Sequence, residues 1–416
     1  MKEIKLIGPF KQVLPMTGVP LKGALYDEQL LIINDAGIVI NDTKIEAIGT
    51  FKDLVNQYKN AEIYELKGNH VCLPGFVDAH THICFAGSRA NEYAMRNAGK
   101  SYLEIAEVGG GIWDTVTQTR NTSKEDLARG TAKRANRHLK TGVTTIEVKS
   151  GYGLSVEEEL KMLYAIKEAG NQTPVDLIPT CLAAHMLPRD YNGNAEAYLA
   201  EMSASLFPRL IEGKLTNRID AFIEQSTFTP EQIKPYFKKA NELGFDITVH
   251  ADQFSTGGSE TAVDFDAISA DHLEASTAKE IKLLANSNVI AIALPGASLG
   301  LGCAYTPARN LLDAGASLAI ASDHNPGSAP MGDLLTQAAI LGAFEKLTNA
   351  EVLAGITFRA AAALKLKDRG VLKTGHLADF SLFHTDNYQE ILYNQGNLKP
   401  CMVWKNGILA YNKHKA

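Results

Sequence analysis

His80-Thr81-His82 is the first place along the chain where chemistry is legible. Side chains two apart on a β-strand share one face, so imidazoles in this spacing can aim at one ion. Single candidates stand at the ends of later apolar runs: His250 in VHADQ, His272 in SADH and Asp323 in IASDHNPGS. Imidazole nitrogens with a carboxylate oxygen suit zinc, iron(II) or another borderline first-row ion. A lone H-x-H is a weak signal, because packed and surface histidines produce it by chance. Four run-ends carrying ligand types in one repeating pattern are a strong one. The chemistry implied is hydrolytic, since such an ion lowers the pKa of water and can polarise the carbonyl under attack. Thiolate ligands are not expected: Cys72, Cys84, Cys181, Cys303 and Cys401 are scattered, with no C-x-x-C pair. An odd, dispersed set also argues against a disulfide framework and suits a reducing cytoplasm.

Bringing these residues together needs a scaffold that ends many strands at one place. Short β-rich runs at 76–80, 144–149, 175–183, 219–224, 246–250, 267–271, 289–294 and 317–322 alternate with helix-like segments. Ser123, Ser155 and Thr229 precede helical runs as side-chain caps. Gly142, Gly170, Gly244 and Gly315 follow helices, where a left-handed terminal residue is useful. Strands such as VIAIAL and SLAIAS are apolar on both faces, as a parallel sheet wrapped in helices requires. Eight such units predict a (β/α)8 TIM-like barrel over residues 73–365, with its chemistry at the C-terminal strand ends. An open doubly wound sheet fits less well, because no dinucleotide glycine fingerprint follows the first strand. Residues 29–50 predict hairpins around Asp35-Ala36-Gly37 and Asn41-Asp42, and 370–412 predict strands turning at Thr374-Gly375 and Asn406-Gly407. Neither end can bury a core alone, so residues 1–72 and 366–416 are expected to form one small β-sandwich domain together.

The chain has 416 residues, 45% of them hydrophobic and 21% charged, which is ordinary for a globular protein. A net charge of −6 gives no general attraction to nucleic acid or anionic membrane. No apolar stretch approaches the ~18 to 20 residues needed to span a bilayer, and the first fifteen residues lack a secretory signal core. A small-molecule substrate is therefore the expected partner.

LPGFVDAHTH, the single-histidine strand ends and the late SD together resemble the amidohydrolase superfamily. GVLKTGHLADFSLF and the VWKNG turn are similar to its terminal β domain, so the likeness covers essentially the whole chain. The resemblance implies His80, His82, His250 and Asp323 as ligands of one divalent metal per chain, zinc or iron. It implies His272 beside the attacking water or substrate, with Asp323 and His272 as the catalytic pair. Two-metal relatives carry a bridging lysine at the end of the fourth strand, where this chain reads Ile223-Glu224-Gln225. One metal is favoured, with Glu224 as the alternative bridge to a second. Ring deaminases of the superfamily read H-x-x-E on the fifth strand, whereas here Gln253 stands in the acid's position. An amide cannot shuttle protons, so Gln253 is expected to hydrogen-bond a substrate ring.

CFAGSRANEY, EVKSGYGL, LAAHMLP, HADQ, SADHLE and SDHNPGSAP, in this order, resemble the imidazolonepropionase family within that superfamily. The resemblance implies hydrolysis of the cyclic amide C–N bond of 4-imidazolone-5-propanoate to N-formimino-L-glutamate, in cytoplasmic histidine degradation, by a homodimer. A substrate with a carboxylate tail suits an arginine fork, and Arg89 is the candidate. Tyr152 between two glycines, His185, Gln253, Asn325, Gly327 and Ser328 are the remaining substrate-binding candidates. The rivals are a ring deaminase on the same scaffold, a Schiff-base lyase using Lys149, and a non-catalytic barrel. His324 adjoins Asp323 but should point to the opposite face, and His138 has no strand-end setting, so both read as packing residues.

Overall fold

The computed structural model describes residues 4–100 and 110–413. Eight parallel strands run in chain order around one sheet: β6 (Phe76–Asp78), β7 (Val143–Lys149), β8 (Asp176–Ala184), β9 (Arg218–Phe222), β10 (Asp246–Ala251), β11 (Ser269–His272), β12 (Ile290–Ala293) and β13 (Leu318–Ile320). The first and last meet just beyond their ends. Asp323 N donates to His80 O at 3.0 Å, His82 N donates to His324 O at 3.0 Å, and Thr81 pairs with His324. The barrel therefore closes through contacts that involve three of the candidate residues, His80, His82 and Asp323. Helices form where the caps predict. Ser123 accepts from Asp126 N, Ser155 from Glu158 N, and Thr229 forms a reciprocal capping box with Gln232.

Most barrel-strand residues are buried on both faces, as expected under a jacket of helices. Gly142, Gly244 and Gly315 take positive φ after their helices, whereas Gly170 does not: it is the last residue of helix Val156–Gly170, which Asn171 ends in right-handed geometry.

Both ends of the chain build the second sheet. β1 (Ile4–Val13), β2 (Ile33–Asn41), β3 (Lys44–Thr50), β4 (Glu62–Glu65) and β5 (Val71–Pro74) join β14 (Phe380–Phe383), β15 (Met402–Lys405) and β16 (Ile408–Asn412). The order is β16-β15-β14-β5-β1-β2-β3, with β4 beside β1. Its pairings are mainly antiparallel, and Phe10, Phe380 and Trp404 pack ring against ring in its core. The Asn406-Gly407 turn joins β15 to β16 with both residues at positive φ, the geometry of a tight hairpin. The hairpin expected at Asp35-Ala36-Gly37 does not exist. β2 runs straight through those residues, and the β1–β2 register shifts at Gly37, between the pairs Ile7–Ile38 and Phe10–Ala36, so the turn-like composition serves an irregularity in a strand. Gly75 alone separates β5 from β6, and a Cβ there would sit 2.4 Å from Thr144 Oγ1. The glycine lets the chain cross between the sheets in a single residue.

Candidate metal centre and substrate pocket

His80 and His82 follow β6, His250 lies within β10, and the three rings converge at the C-terminal mouth of the barrel. One ring nitrogen from each lies within 4.8 Å of the others, and all three residues are buried. His82 Nε2 is 3.3 Å from His250 Nε2. Asp323 Oδ1 lies 3.6 Å from His80 Nε2 and 3.5 Å from His82 Nε2. Four donors thus face one small volume, and among the described residues His80 Nε2 has no hydrogen-bond partner. Burial holds His80 and His82 well below the ordinary histidine range and His250 down to about 3. Neutral imidazoles with inward lone pairs beside a carboxylate fit a borderline divalent ion.

The tautomers are set from below. His80 Nδ1 donates to Asp271 Oδ2 at 2.6 Å, and His250 Nδ1 lies 3.1 Å from Asp220 Oδ2. The outer nitrogens of His80 and His250 are therefore turned to carboxylates, leaving their Nε2 atoms for the centre, whereas His82 Nδ1 has no hydrogen-bond partner among the described residues. Lys149 Nζ sits beneath both acids, 2.7 Å from Asp220, 2.9 Å from Glu147 and 3.7 Å from Asp271. Burial pulls this lysine down, but the three acids outweigh it and hold the ammonium above its ordinary value. An ammonium kept charged this way cannot attack a carbonyl, which removes the Schiff-base reading of Lys149.

His272 closes the cluster, its ring 5.8 Å from that of His80 and 5.4 Å from that of His250. Strand alternation should send Asp271 and His272 to opposite faces. His272 and Leu273 adopt φ of +85° and +71°, which turns the chain as β11 ends. Burial lowers His272, but Glu274 at 3.5 Å outweighs it, with help from Asp323, and keeps the ring above the ordinary range. Burial raises Asp323 to about 6, against the hydrogen bonds from Asn325 and Ser328.

The expected substrate residues are arranged around this centre. Tyr152 and His185 are buried beside His82, with ring centroids at 6.0 and 5.6 Å. His185 Nδ1 donates to Gly151 O at 2.8 Å, tying the β8 exit to the Gly151–Gly153 turn. Glu159 clamps that turn by accepting from Gly151 N, Gly153 N and Leu154 N at 3.1, 2.8 and 2.7 Å. Glu159→Gln leaves one acceptor oxygen for three donors and should cost about 1–3 kcal/mol. Thermal unfolding should show that loss together with a raised KM; an unchanged KM removes Glu159 from the support of Tyr152.

Arg89 turns Nε and Nη2 onto Glu92, and a Cβ on Gly327 would lie 2.1 Å from its Nη1. Arg89 therefore lies against the loop after β13, where Arg96 also donates to Gly327 O at 3.0 Å. Asn325 holds that loop together. Its Nδ2 donates to Asp323 Oδ2 at 2.9 Å, and its Oδ1 accepts from Gly327 N and Ser328 N at 2.7 and 2.8 Å. Gln253 is half-buried between two anchored positions. Asp252 accepts from Gly258 N and Ser259 N, and Glu224 accepts from Gln225 N, Phe254 N and Ser255 N at 2.9, 2.9 and 3.0 Å. Glu224 is thus engaged in the loop that carries Gln253, and the bridging role offered as its alternative loses its free carboxylate. Cys84 packs outward, its thiol raised to about 11 by burial.

Asp220, Asp271, Glu147, Glu159 and Glu274 were not legible as site residues. The signal was present for some of them. Arg218 and Asp220 in RIDAF, and Glu147 and Lys149 in IEVK, alternate as charges in strands otherwise apolar, which marks a buried ionic layer.

Residues 71–409 match the amidohydrolase family. An imidazolonepropionase of Fusobacterium nucleatum is 40% identical over 386 residues, covering 92% of this chain and 93% of that one. One from Acinetobacter baumannii is 40% identical over 383 residues, covering 91% and 95%. An adenosine deaminase from Xanthomonas campestris, solved with bound zinc, superposes with a TM-score of 0.70 at 18% identity, covering 99% of this chain and 93% of that one. At that identity the last likeness concerns the fold alone. Among the described residues no helix is long and apolar enough to cross a membrane.

Proposed function

The chain belongs to the imidazolonepropionase family of amidohydrolases, and from that premise we propose that it opens 4-imidazolone-5-propanoate to N-formimino-L-glutamate. The observation that carries this reading is the buried convergence of His80, His82 and His250 in a chain 40% identical to imidazolonepropionases over most of its length.

His80, His82, His250 and Asp323 would hold one divalent ion, zinc or iron. That ion would supply acidified water and a polarised ring carbonyl. The chain's own residues do the rest. Asp323 takes the proton of the attacking water on its carboxylate and returns it to the departing ring nitrogen. Its outer oxygen is kept in line by Asn325. His272, held toward its protonated form by Glu274, donates to the oxygen where negative charge develops. Arg89 takes the propionate, with Gly327 and Ser328 bordering the tail. Tyr152 and His185 line the ring, and Gln253 hydrogen-bonds its edge. A homodimer in the cytoplasm is the expected setting.

The test is an anaerobic assay on freshly prepared imidazolonepropionate, following ring absorbance alongside metal analysis. Formiminoglutamate should form, chelation should abolish turnover, and zinc or iron should restore it. Protein that keeps its metal and leaves this substrate untouched would discard the assignment, and release of ammonia from nucleobases would favour the deaminase reading.

A further inference from the structure

His138 and His324, both expected to be packing residues, form a buried pair directly behind Asp323. His138 lies on helix Lys124–Leu139, and its Nε2 is 2.8 Å from His324 Nδ1. Its other nitrogen, Nδ1, is 3.5 Å from Asp78 Oδ2, a long contact. Asp78 in turn accepts from Ser322 N at 2.9 Å and from Ser322 Oγ at 2.5 Å. Ser322 Oγ accepts from His324 N at 3.2 Å. Both neighbours of Asp323 are therefore tied to one carboxylate and one imidazole.

Asp323 needs such support. It stands at φ +49°, a left-handed conformation that a non-glycine residue keeps only when its surroundings hold it there. The same ring backs the loop that follows. A Cβ on Gly332 would lie 2.4 Å from His324 Nδ1, so residues 325–332 leave His324 and return against it. The 2.8 Å contact needs one ring nitrogen to donate and the other to accept, while His138 Nδ1, 3.5 Å from Asp78 Oδ2, makes no hydrogen bond among the described residues.

We propose that the Asp78–His138–His324 chain is a positioning device which fixes the Asp323 carboxylate against the three imidazoles and so sets how tightly this protein holds its divalent ion. The proposal rests on the reading of Asp323 as a ligand. It assigns no proton transfer to either histidine; their role is to fix a backbone that must present one oxygen to a centre formed by other strands.

The experiment is competition between the full chain and a zinc chelator, with thermal unfolding of the metal-free protein as control. His324→Phe keeps a planar ring of similar bulk in the pocket and removes the hydrogen bond. It should weaken zinc binding about tenfold or more while the metal-free protein melts close to the parent. His138→Leu should weaken it similarly, and the double variant no more than either single change, because one chain is broken in each case. If His138→Leu fails to fold, His324→Phe decides alone. Zinc affinity unchanged in folded His324→Phe overturns the proposal. Asp323→Ala separates the two ideas: if it too leaves affinity unchanged, the ligand reading has failed, whereas a loss confined to Asp323→Ala sinks only the positioning device.

Discussion

Asp323→Asn is expected to lower kcat/KM by about 10³-fold or more, with less metal retained after dialysis. The substitution preserves shape and the contacts from Asn325 and Ser328, so the loss reads chemistry and not packing. Two functions disappear together. An amide is a poor partner for a divalent ion among neutral imidazoles, and it cannot accept the proton of the attacking water. Positioned acid–base groups alone contribute about 10²- to 10⁴-fold. Steady-state kinetics with metal analysis check the claim. Activity within tenfold of the parent at full metal content would remove Asp323 from both roles.

Lys149→Met carries the second large effect, and it is read first in stability. The ammonium is fully buried among Asp220, Glu147 and Asp271, and nothing apolar can replace its charge. Removing one partner from a buried ionic cluster costs about 3–5 kcal/mol, because the remaining charges stay buried and uncompensated. The pH dependence follows. Burial already lifts Asp271 to about 7, while His250 and Lys149 overcome burial to hold Asp220 far below the usual range. Without the lysine both acids rise. A carboxylate whose folded pKa exceeds its unfolded value binds more protons in the folded state, so its contribution is lost as pH rises. The melting deficit of the variant should therefore shrink between pH 8 and pH 5. Because the same acids orient His80 and His250, metal affinity should also fall about 10- to 100-fold. A deficit that grows on acidification would contradict this account of the layer.

The two substitutions probe different depths of one arrangement. Asp323 faces His80 and His82 from the rim, in an unusual backbone conformation at φ +49°. Lys149 works one layer lower, where strand alternation directs charges inward and burial removes them from bulk solvent. Glu159 and Glu224 act in a third way, by collecting backbone N–H groups of turns that no strand ladder supports.

Much of this was legible in the residues themselves. The H-x-H spacing, the strand-end positions of His250 and His272, and the late Asp323 name the metal-binding candidates. Apolar runs alternating with capped helices name the barrel, because local propensity and hydrophobic period agree along the chain. Arg89, Tyr152 and the loop after Asp323 came from motifs, which carry order along the chain but no distances. Where local signals misled, a competing use of the same residues explains it. Asp35-Ala36-Gly37 has turn chemistry but lies at a strand irregularity, and Gly170 follows a helical pattern without ending it in left-handed geometry.

Tertiary structure decided what touches what. That Asp271 serves His80, that Asp220 serves His250 and that one lysine lies between those acids depend on strands β7, β9, β10 and β11 meeting in register, with β6 brought round beside β13. Residues separated by up to 191 positions share single hydrogen bonds there, a relation that no local period encodes. The inward turn of His272 and the outward turn of His324 depend on positive-φ residues at strand ends: His272 and Leu273 for the first, Asp323 for the second. Sequence alone thus determined which atoms can bind an ion and on which elements they ride, because side-chain chemistry and strand period are local. Which acid orients which imidazole, and what holds Asp323 still, required closure of the barrel, because closure alone brings those distant side chains within hydrogen-bonding distance.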